Sequence, residues 1–508
     1  MYQETPAQRK KTNTKQATVE TKPVPPQISY TVSMSKPWTH LLEVEMRLSY
    51  AANAPAQAEI VMPVWTPGSY LVREYARHVE SFGAADASGG SLAWRKSDKN
   101  SWLIETKGAR EIVVKYNVYS NELTVRTNEL NDNHAFFTPA ALLMFPKGFL
   151  NVPSTVRVMP YKDWKIATGL PAVDGSANTF RAANFDTLYD SPFEVSNFKE
   201  ISFTVQNKPH RFVVNGEGNY DLQRIARDTT KIIEESYKIF GELPYENYVF
   251  ILNLRGGGGL EHMNSTALQW NRFGFTGGRH NDFMALVAHE YFHLWNVKRI
   301  RPDALGPFDY ENENYTKLLW VAEGATAYYE GILLQRAGII TAKEFLDGRA
   351  AQVQALQDRQ GRFETSLEEA SFDAWIKYYR QDENAINNQI SYYDKGELVS
   401  FLLDVEIRGA SKGTKSLDDV MRYLNEEFAK KNRNYTPEDY QKASEMMAGK
   451  SLDDFFAKYV RGRAEIDYNA ILNGVGLQLK DNKGRETPYL GANLRQDGDR
   501  LTITYLPK

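Results

Sequence analysis

Two histidines four residues apart enclose a glutamate in the segment His289-Glu290-Tyr291-Phe292-His293. On a helix, residues i and i+4 lie one turn apart on the same face, so both imidazoles can reach a single ion. Glu290 is rotated by about 100° from His289 and can reach a water molecule at that ion instead. The surrounding ALVAHEYFHLW is mostly apolar, and burying these polar side chains is costly unless a metal compensates. The pattern predicts one catalytic Zn²⁺ per chain, with Glu290 as general base.

The segment around these histidines has the pattern of a helix. Phe283, Val287 and Leu294 contribute to an apolar stripe at helical spacing. Asn281 or Asp282 can cap its start through a side-chain oxygen. We therefore expect a helix that begins at one of these two residues.

Catalytic zinc needs a third protein ligand and an open position. Glu323 is the best candidate, because it lies in the apolar helical run LLWVAEGATAYYEGILL, where a lone carboxylate would be costly. It follows His293 by 30 residues (323 − 293), enough for a loop and an antiparallel return helix. Glu330 lies on the same helical face and is expected to contact a metal-binding side chain and orient it without touching the metal. The alternative is a solvated charge at a helix end. Glu311 and Glu313 are rival ligands in a polar, loop-like stretch.

A glycine run from Gly256 to Gly259 is followed by Leu260, Glu261, His262 and the strand-like TALQW. Glycine allows close backbone approach, and an edge strand can pair with an extended peptide. A carboxylate here can hold the α-ammonium of a substrate, which would make the enzyme an exopeptidase. We therefore expect Gly259, Glu261 and His262 to bind substrate, with a flexible hairpin turn and an exposed glutamate as the open alternative.

A third segment, Tyr392-Tyr393-Asp394-Lys395-Gly396, offers a phenol hydroxyl. A tyrosine hydroxyl aimed at the cleft can stabilise the oxyanion formed when an amide is attacked. By residue type alone, a packed aromatic side chain is the alternative interpretation.

The composition limits the classes of function. The chain has 508 residues, with 61 Lys+Arg against 64 Asp+Glu, a balance that indicates neither nucleic acid nor an anionic membrane as partner. Cysteine is absent, so metal ligands must come from His, Asp or Glu. No stretch approaches the ~18 apolar residues of a membrane span. A cytoplasmic location is expected, and an exported form whose signal has been removed remains open.

The patterns predict a multidomain α+β protein. Residues 1–27 are polar and predicted to be a disordered tail. In residues 28–205, apolar and polar side chains alternate with period two, which predicts an antiparallel β-sandwich-like domain. Residues 206–463 predict a mostly helical catalytic domain with a small sheet, including a helix from Asp221 to Phe240. Residues 464–508 contain the strand-like pieces GVGLQL and RLTITYLP and predict a short β segment.

HEYFHLWNVKRIRP, WVAEGATAYYEG, GGLEH, YYDKG and WTPGSYLVREYARHV resemble motifs of the glycyl aminopeptidase family, the PDZ-containing gluzincins related to alanyl aminopeptidases. The resemblance covers residue 28 to the end. It implies an N-terminal β domain, a thermolysin-like catalytic domain and a PDZ domain, of which this chain holds only the beginning. It also implies His289, His293 and Glu323 as zinc ligands, Glu290 as base, Glu261 as amine-binding group and Tyr393 as oxyanion donor.

These features predict a zinc aminopeptidase that acts on peptides and prefers a first residue of Gly or Ala, the latter by resemblance. One alternative is an endopeptidase with an open cleft, which would cleave N-acetylated and free peptides alike. A second is a non-catalytic, zinc-stabilised peptide-binding protein, against which Glu290 and Tyr393 argue. A third is a helical interaction module with incidental histidines, which would bind no metal.

Overall fold

The computed structural model describes residues 24–481 and 493–505. The predicted tail at 1–27 lies outside the described residues up to residue 23, and Gln27 already begins the first strand. Of the predicted C-terminal β segment, residues 482–492 and 506–508 also lie outside them.

The N-terminal third is built of strands with one short helix, α1 (Phe185–Tyr189). The strands are β1 (Gln27–Ser33), β2 (Leu41–Ser49), β3 (Gln57–Val61), β4 (Val79–Asp86), β5 (Trp94–Asp98), β6 (Ser101–Glu105), β7 (Glu111–Tyr119), β8 (Glu129–Leu130), β9 (His134–Phe137), β10 (Phe145–Pro146), β11 (Ser154–Met159), β12 (Lys165–Thr168), β13 (Thr179–Ala182) and β14 (Phe193–Ser196).

These strands form three sheets that share one core. A 6-stranded sheet has the order β13-β11-β1-β2-β7-β4, and two 4-stranded sheets have the orders β10-β3-β6-β5 and β12-β14-β9-β8. Alternate side chains of β2, such as Val44 and Met46, pack with Ile60 of β3 and Ile104 of β6, as expected for period-two strands. The predicted β-rich N-terminal part is confirmed, although β1 pairs with β11 in parallel.

A fourth sheet, with 5 strands, begins the part that carries the histidines. It contains β15 (Lys199–Val205), β16 (Lys208–Asn215), β17 (Tyr248–Asn253), β18 (Gly258–Glu261) and β19 (Ser265–Gln269), in the order β15-β16-β17-β19-β18. The domain boundary predicted between residues 205 and 206 falls at the turn of the β15–β16 hairpin. Strand β18 forms one edge of this sheet.

Helices dominate the rest of the described chain, as predicted. They are α2 (Leu222–Phe240), α3 (Gly278–Phe292), α4 (Thr326–Arg336), α5 (Ala342–Gln357), α6 (Leu367–Phe372), α7 (Ala385–Asn388), α8 (Asp394–Ala410), α9 (Leu417–Glu427), α10 (Pro437–Ala448), α11 (Asp453–Phe456) and α12 (Tyr468–Leu472). Over residues 24–481 and 493–505, none of the helices has the length and apolar character needed to cross a lipid bilayer.

Helix ends follow local chemistry, and one prediction about them is wrong. Asp221 caps α2 by accepting hydrogen bonds from the next turn, and Gly241 ends it in the left-handed conformation (φ 75°). Helix α3, however, begins at Gly278, so Asn281 and Asp282 lie inside it. A contact with another helix stabilises its first turn, because His280 Nε2 lies 2.9 Å from a carboxylate oxygen of Asp228 on α2.

The C-terminal segment differs in part from the prediction. RLTITY is the second strand of a hairpin formed by β20 (Asn493–Asp497) and β21 (Arg500–Tyr505). GVGLQL is not a strand. Asn469 of α12 instead holds both backbone polar groups of Leu479, at 2.8 and 3.0 Å, which folds this segment back onto its own helix.

A buried polar cluster joins the N-terminal β part to the 5-stranded sheet. His134 of β9, 3% exposed, lies 2.9 Å from Glu129 and 3.3 Å from Glu194. Arg255 pairs with Glu129, and Asn253 donates to Glu194 at 3.3 Å. Burial alone would lower the pKa of His134, but the two carboxylates raise it to about 9. The imidazolium thus holds two buried carboxylates together at this interface.

We expect the contribution of His134 to stability to disappear at alkaline pH. Its folded-state pKa of about 9 lies above the ordinary value of 6.5, so the contribution is complete below pH 6.5 and lost as the pH rises through 9. It amounts to on the order of 3 kcal/mol at most. His134→Gln should therefore melt well below the wild type at pH 6, and this gap should narrow by pH 9.5. A gap independent of pH would contradict the interpretation.

Candidate active site

The last turn of α3 brings both histidines to a glutamate from a later segment. His293 Nε2 lies 3.1 Å and His289 Nε2 3.5 Å from the same oxygen, Oε2 of Glu323. The three side chains are buried, with exposed fractions of 9% for His289, 1% for His293 and 2% for Glu323. Burial alone would raise the pKa of Glu323, but the two imidazoles lower it well below its usual range.

The other nitrogen of each imidazole is bound elsewhere. His289 Nδ1 lies 2.9 Å from Oε2 of Glu330, and His293 Nδ1 donates to the backbone oxygen of Asn296 at 2.7 Å. A carbonyl or carboxylate there orients the ring and places the proton on Nδ1, which leaves the lone pair on Nε2. Glu330 therefore occupies the position predicted for it behind His289.

Glu323 lies in a π-helical turn, Trp320–Ala325, that leads directly into α4. Such turns are rare and often occur at functional sites. At Gly324 this turn crosses the start of α8 so closely that a β-carbon would lie 2.6 Å from the backbone of Gly396. The crossing needs glycine on both sides, and it brings Tyr393, which immediately precedes α8, next to the histidines.

Glu290 points into the same space and has no hydrogen-bond partner for Oε2 among the described residues. It is 5% exposed, and burial raises its pKa to about 7. A carboxylate with a pKa near neutrality can accept and return a proton. Edge strand β18 passes directly over it, because a side-chain carbon at Gly259 would overlap the Glu290 carboxylate.

Glu261, the last residue of β18, reaches the site from the sheet. Its carboxylate belongs to a second group of converging ligand atoms, with Glu290 and His293, that lie within 4.8 Å of one another. It is 3% exposed, and its Oε1 accepts no hydrogen bond within the described chain. The nearest cation is Lys298, with Nζ at 3.6 Å. A buried carboxylate with free acceptor capacity is suited to bind a cationic group.

His262 does not face the space into which Glu261 and Glu290 point. Successive residues along a strand face opposite sides, so His262 turns away from Glu261 and its Nδ1 lies 3.0 Å from Oδ1 of Asp190. The same Asp190 oxygen lies 2.8 Å from Nζ of Lys298, and Asp190 Oδ2 accepts from the backbone of Met263 at 2.7 Å. His262 thus lies beneath the site, next to Asp190, and does not line the site itself.

Tyr393 stacks beside His289, with ring centroids 6.2 Å apart. Burial and the nearby Glu323 carboxylate raise the pKa of Tyr393 well above its ordinary value, so its hydroxyl stays protonated and can donate a hydrogen bond. Glu311 and Glu313, the rival candidates for a metal ligand, do not lie at this site. Glu311 pairs with Lys147 at 3.1 Å, and neither it nor Glu313 joins the converging groups.

A cavity of about 230 Å³ opens over these residues. Its walls are Gly68, Arg126, Gly258, Gly259, Glu261, Leu286, His289, Glu290, His293, Glu323, Glu330 and Tyr393. Arg126, Lys298 and Asp190 were not predicted as site residues from the sequence. Lys298 lies in the quoted stretch HEYFHLWNVKRIRP, so a signal for it existed, whereas Arg126 and Asp190 come from the distant β part.

These residues fit a metal ion. Two imidazole nitrogens and a carboxylate oxygen converge within 4.8 Å, and this is the donor set that catalytic zinc prefers in proteins. The adjacent Glu290 and the cavity leave room for water and a substrate. A mostly helical part with this donor set, joined to a β-rich N-terminal part, defines the class of protein as a metallopeptidase.

Comparison with known proteins identifies the family. The family model for the Peptidase M61 N-terminal domain matches residues 29–197, and the model for M61 glycyl aminopeptidase matches residues 282–399. The structure resembles an aminopeptidase N family protein from Idiomarina loihiensis, with a TM-score of 0.88, 30% identity, and coverage of 95% of this chain and 86% of that one. The chain belongs to the M61 glycyl aminopeptidase family and is a metallo-aminopeptidase.

More distant structures share the fold. An M1 zinc metallopeptidase from Deinococcus radiodurans superposes with a TM-score of 0.54 and 13% identity, over 88% of this chain and 96% of that one. A mutant of an M1 zinc metallopeptidase from the same organism, bound to a Tyr-Ser-Ala substrate, superposes with a TM-score of 0.54 and 14% identity, over 87% and 95% of the two chains. A comparison with curated proteins gave no match.

Proposed function

We propose that the protein is a zinc aminopeptidase that removes the N-terminal residue of peptides and prefers Gly or Ala at that position. The observation that carries the proposal is the buried, partly unsatisfied Glu261 carboxylate, which lies with Glu290 and His293 in one group of converging atoms. The preference for small residues rests on the family and on a cavity of about 230 Å³, smaller than the ~300–1,000 Å³ usual for drug-sized ligands.

In this proposal His289, His293 and Glu323 hold the zinc, and Glu330 orients His289. When bound, zinc acidifies water and polarises the scissile carbonyl. Glu290 accepts a proton from the attacking water and passes it to the leaving amine.

The remaining groups hold the substrate and its developing charge. Tyr393 donates a hydrogen bond to the oxyanion. Glu261 accepts from the α-ammonium, which limits cleavage to the bond after the first residue. The free edge of β18, with Gly258 and Gly259, pairs with the peptide backbone.

We expect an N-acetylated alanyl peptide to resist cleavage while the free peptide is hydrolysed. Glu261→Gln keeps the shape but removes the charge, so kcat/KM for the free peptide should fall by about 10- to 100-fold. Glu246→Gln serves as a matched control, because the Glu246 side chain is 91% exposed. Steady-state kinetics on both peptides provide the measurement. Equal rates for acetylated and free peptide would establish the endopeptidase reading instead.

A further inference from the structure

Arg126 is a cavity-lining residue that the proposed mechanism does not use. It lies in the loop between β7 and β8, and so reaches the site from the N-terminal β part. The loop is held by short polar contacts. Tyr75 donates to the backbone oxygen of Arg126 at 2.8 Å, and the Arg126 backbone donates to Thr124 at 3.1 Å. The hydroxyls of Thr124 and Thr127 lie 2.8 Å apart. The side chain is therefore presented by a fixed backbone.

The guanidinium of Arg126 forms no ion pair with the described residues, although Tyr379, Tyr393 and the carboxylates of Glu290 and Glu261 together raise its pKa against the effect of burial. Across residues 24–481 and 493–505, no carboxylate oxygen lies within 4.0 Å of its nitrogens. Its Nε is buried and has no hydrogen-bond partner there. Its Nη2 makes one long contact, 3.5 Å, with the backbone oxygen of Gly259 on edge strand β18. A buried donor without a partner is costly, so this group has unused capacity to bind an acceptor.

A second arginine strengthens the positive potential at this place. Arg73 Nη2 donates to Ser69 at 2.9 Å, and its buried Nε is also without a partner among the residues described. Burial and the neighbouring Arg126 charge both act to lower the pKa of Arg73. The two cations repel each other, and the carboxylates that act on them, Glu261 and Glu290 on Arg126 and Glu122 on Arg73, offset this repulsion without forming an ion pair with Arg126. A further anion bound here would relieve the repulsion directly.

The proposed substrate carries such an anion. In a short peptide, the α-ammonium is taken by Glu261, and the group left at the other end is a carboxylate. Guanidinium binds carboxylate through two parallel hydrogen bonds. Arg126 contacts β18, the strand along which the peptide would lie, and the cavity volume of about 230 Å³ suits a short substrate.

Building on the proposed function, we infer that Arg126, supported by Arg73, binds a substrate carboxylate beyond the scissile bond, which makes the enzyme selective for short peptides with a free C-terminus. Arg126 is then a specificity-determining residue. The opposed charges of Glu261 and Arg126 set the polarity and the length of the substrate.

The test compares Ala-Ala-Ala with its C-terminal amide, and adds the amide of Ala-Glu-Ala to distinguish a side-chain carboxylate from the chain terminus. We expect the wild type to cleave the free acid with a kcat/KM about 10- to 100-fold above that of Ala-Ala-Ala amide. The Ala-Glu-Ala amide should behave like the plain amide. A rate restored by the glutamate would overturn the assignment to the C-terminus.

Variants of Arg126 test whether its side chain causes the preference for the free acid. Arg126→Gln should reduce the ratio of acid to amide to near one, and Arg126→Lys should leave an intermediate ratio, since it keeps the charge but not the paired donors. Arg77→Gln, on an exposed arginine of the same β part, should keep the wild-type ratio. Equal wild-type rates on acid and amide, or an unchanged ratio in Arg126→Gln, would overturn the inference. Cleavage of neither peptide would instead refute the proposed function.

Discussion

Glu323→Gln should remove both the bound metal and the peptidase activity. Glu323 is the group to which both Nε2 atoms turn, at 3.1 and 3.5 Å, and a neutral amide is a much poorer ligand than a carboxylate. The apparent binding free energy of structural zinc sites is about 10–16 kcal/mol. Losing one of three protein ligands is expected to cost roughly 3–5 kcal/mol of this, or about 10²–10⁴-fold in affinity.

Elemental analysis of the purified protein, paired with turnover of an alanyl amide before and after chelation, measures this effect. Glu330→Gln provides a graded comparison. Because Glu330 only orients His289 through Nδ1, metal affinity or activity should fall by about 10- to 100-fold in that variant. Full zinc content and normal turnover in Glu323→Gln would mean that the metal is held elsewhere, and the mechanism proposed above would have to be abandoned.

Glu290→Gln should abolish turnover while the metal stays bound. The amide fills the same space beneath β18 but cannot accept the proton of the attacking water. General-base groups contribute typically about 10²–10⁴-fold, so kcat should fall by that factor with little change in zinc content. Burial raises the pKa of Glu290 to about 7, which is close to the value a base needs near neutral pH.

Tyr393→Phe is the matched comparison, since it removes only the oxyanion donor and leaves the base. A loss of about 10²–10³-fold in kcat is expected, with the metal retained. If both variants turned over substrate at the wild-type rate, the roles proposed for Glu290 and Tyr393 would be refuted. If the wild type cleaved nothing, the interpretation as a non-catalytic, zinc-stabilised peptide-binding protein would be supported instead. Single-turnover measurements with metal content determined on the same samples separate these outcomes from simple misfolding.

Several features of the site could be predicted because they are local or costly to bury. The spacing of His289 and His293 follows from helix geometry alone. Glu323 could be selected because a carboxylate in an apolar helical run needs a partner, and the structure places it against both imidazoles. Glu330 and Tyr393 also lie where expected, beside His289, although their roles remain predictions.

Other predictions were wrong because an outside contact decided the local structure. Asn281 and Asp282 have good capping side chains, yet α3 begins earlier at Gly278, where His280 of its first turn contacts Asp228 of α2. GVGLQL has strand-like alternation, but Asn469 occupies the backbone groups of Leu479 that a neighbouring strand would need. His262 was grouped with Glu261, but the alternation of side chains along β18 turns it toward Asp190.

The sequence by itself determined that the chemistry depends on a metal-binding site. Two imidazoles at helical spacing and a carboxylate that is costly to bury in an apolar helix are both properties of short segments. Only the tertiary structure decided what surrounds that chemistry. Arg126 and Asp190 belong to the β part, far from the histidines along the chain, and packing of the two parts brings them to the cavity and its underside. Contacts between such distant segments depend on the whole fold, and no local spacing encodes them.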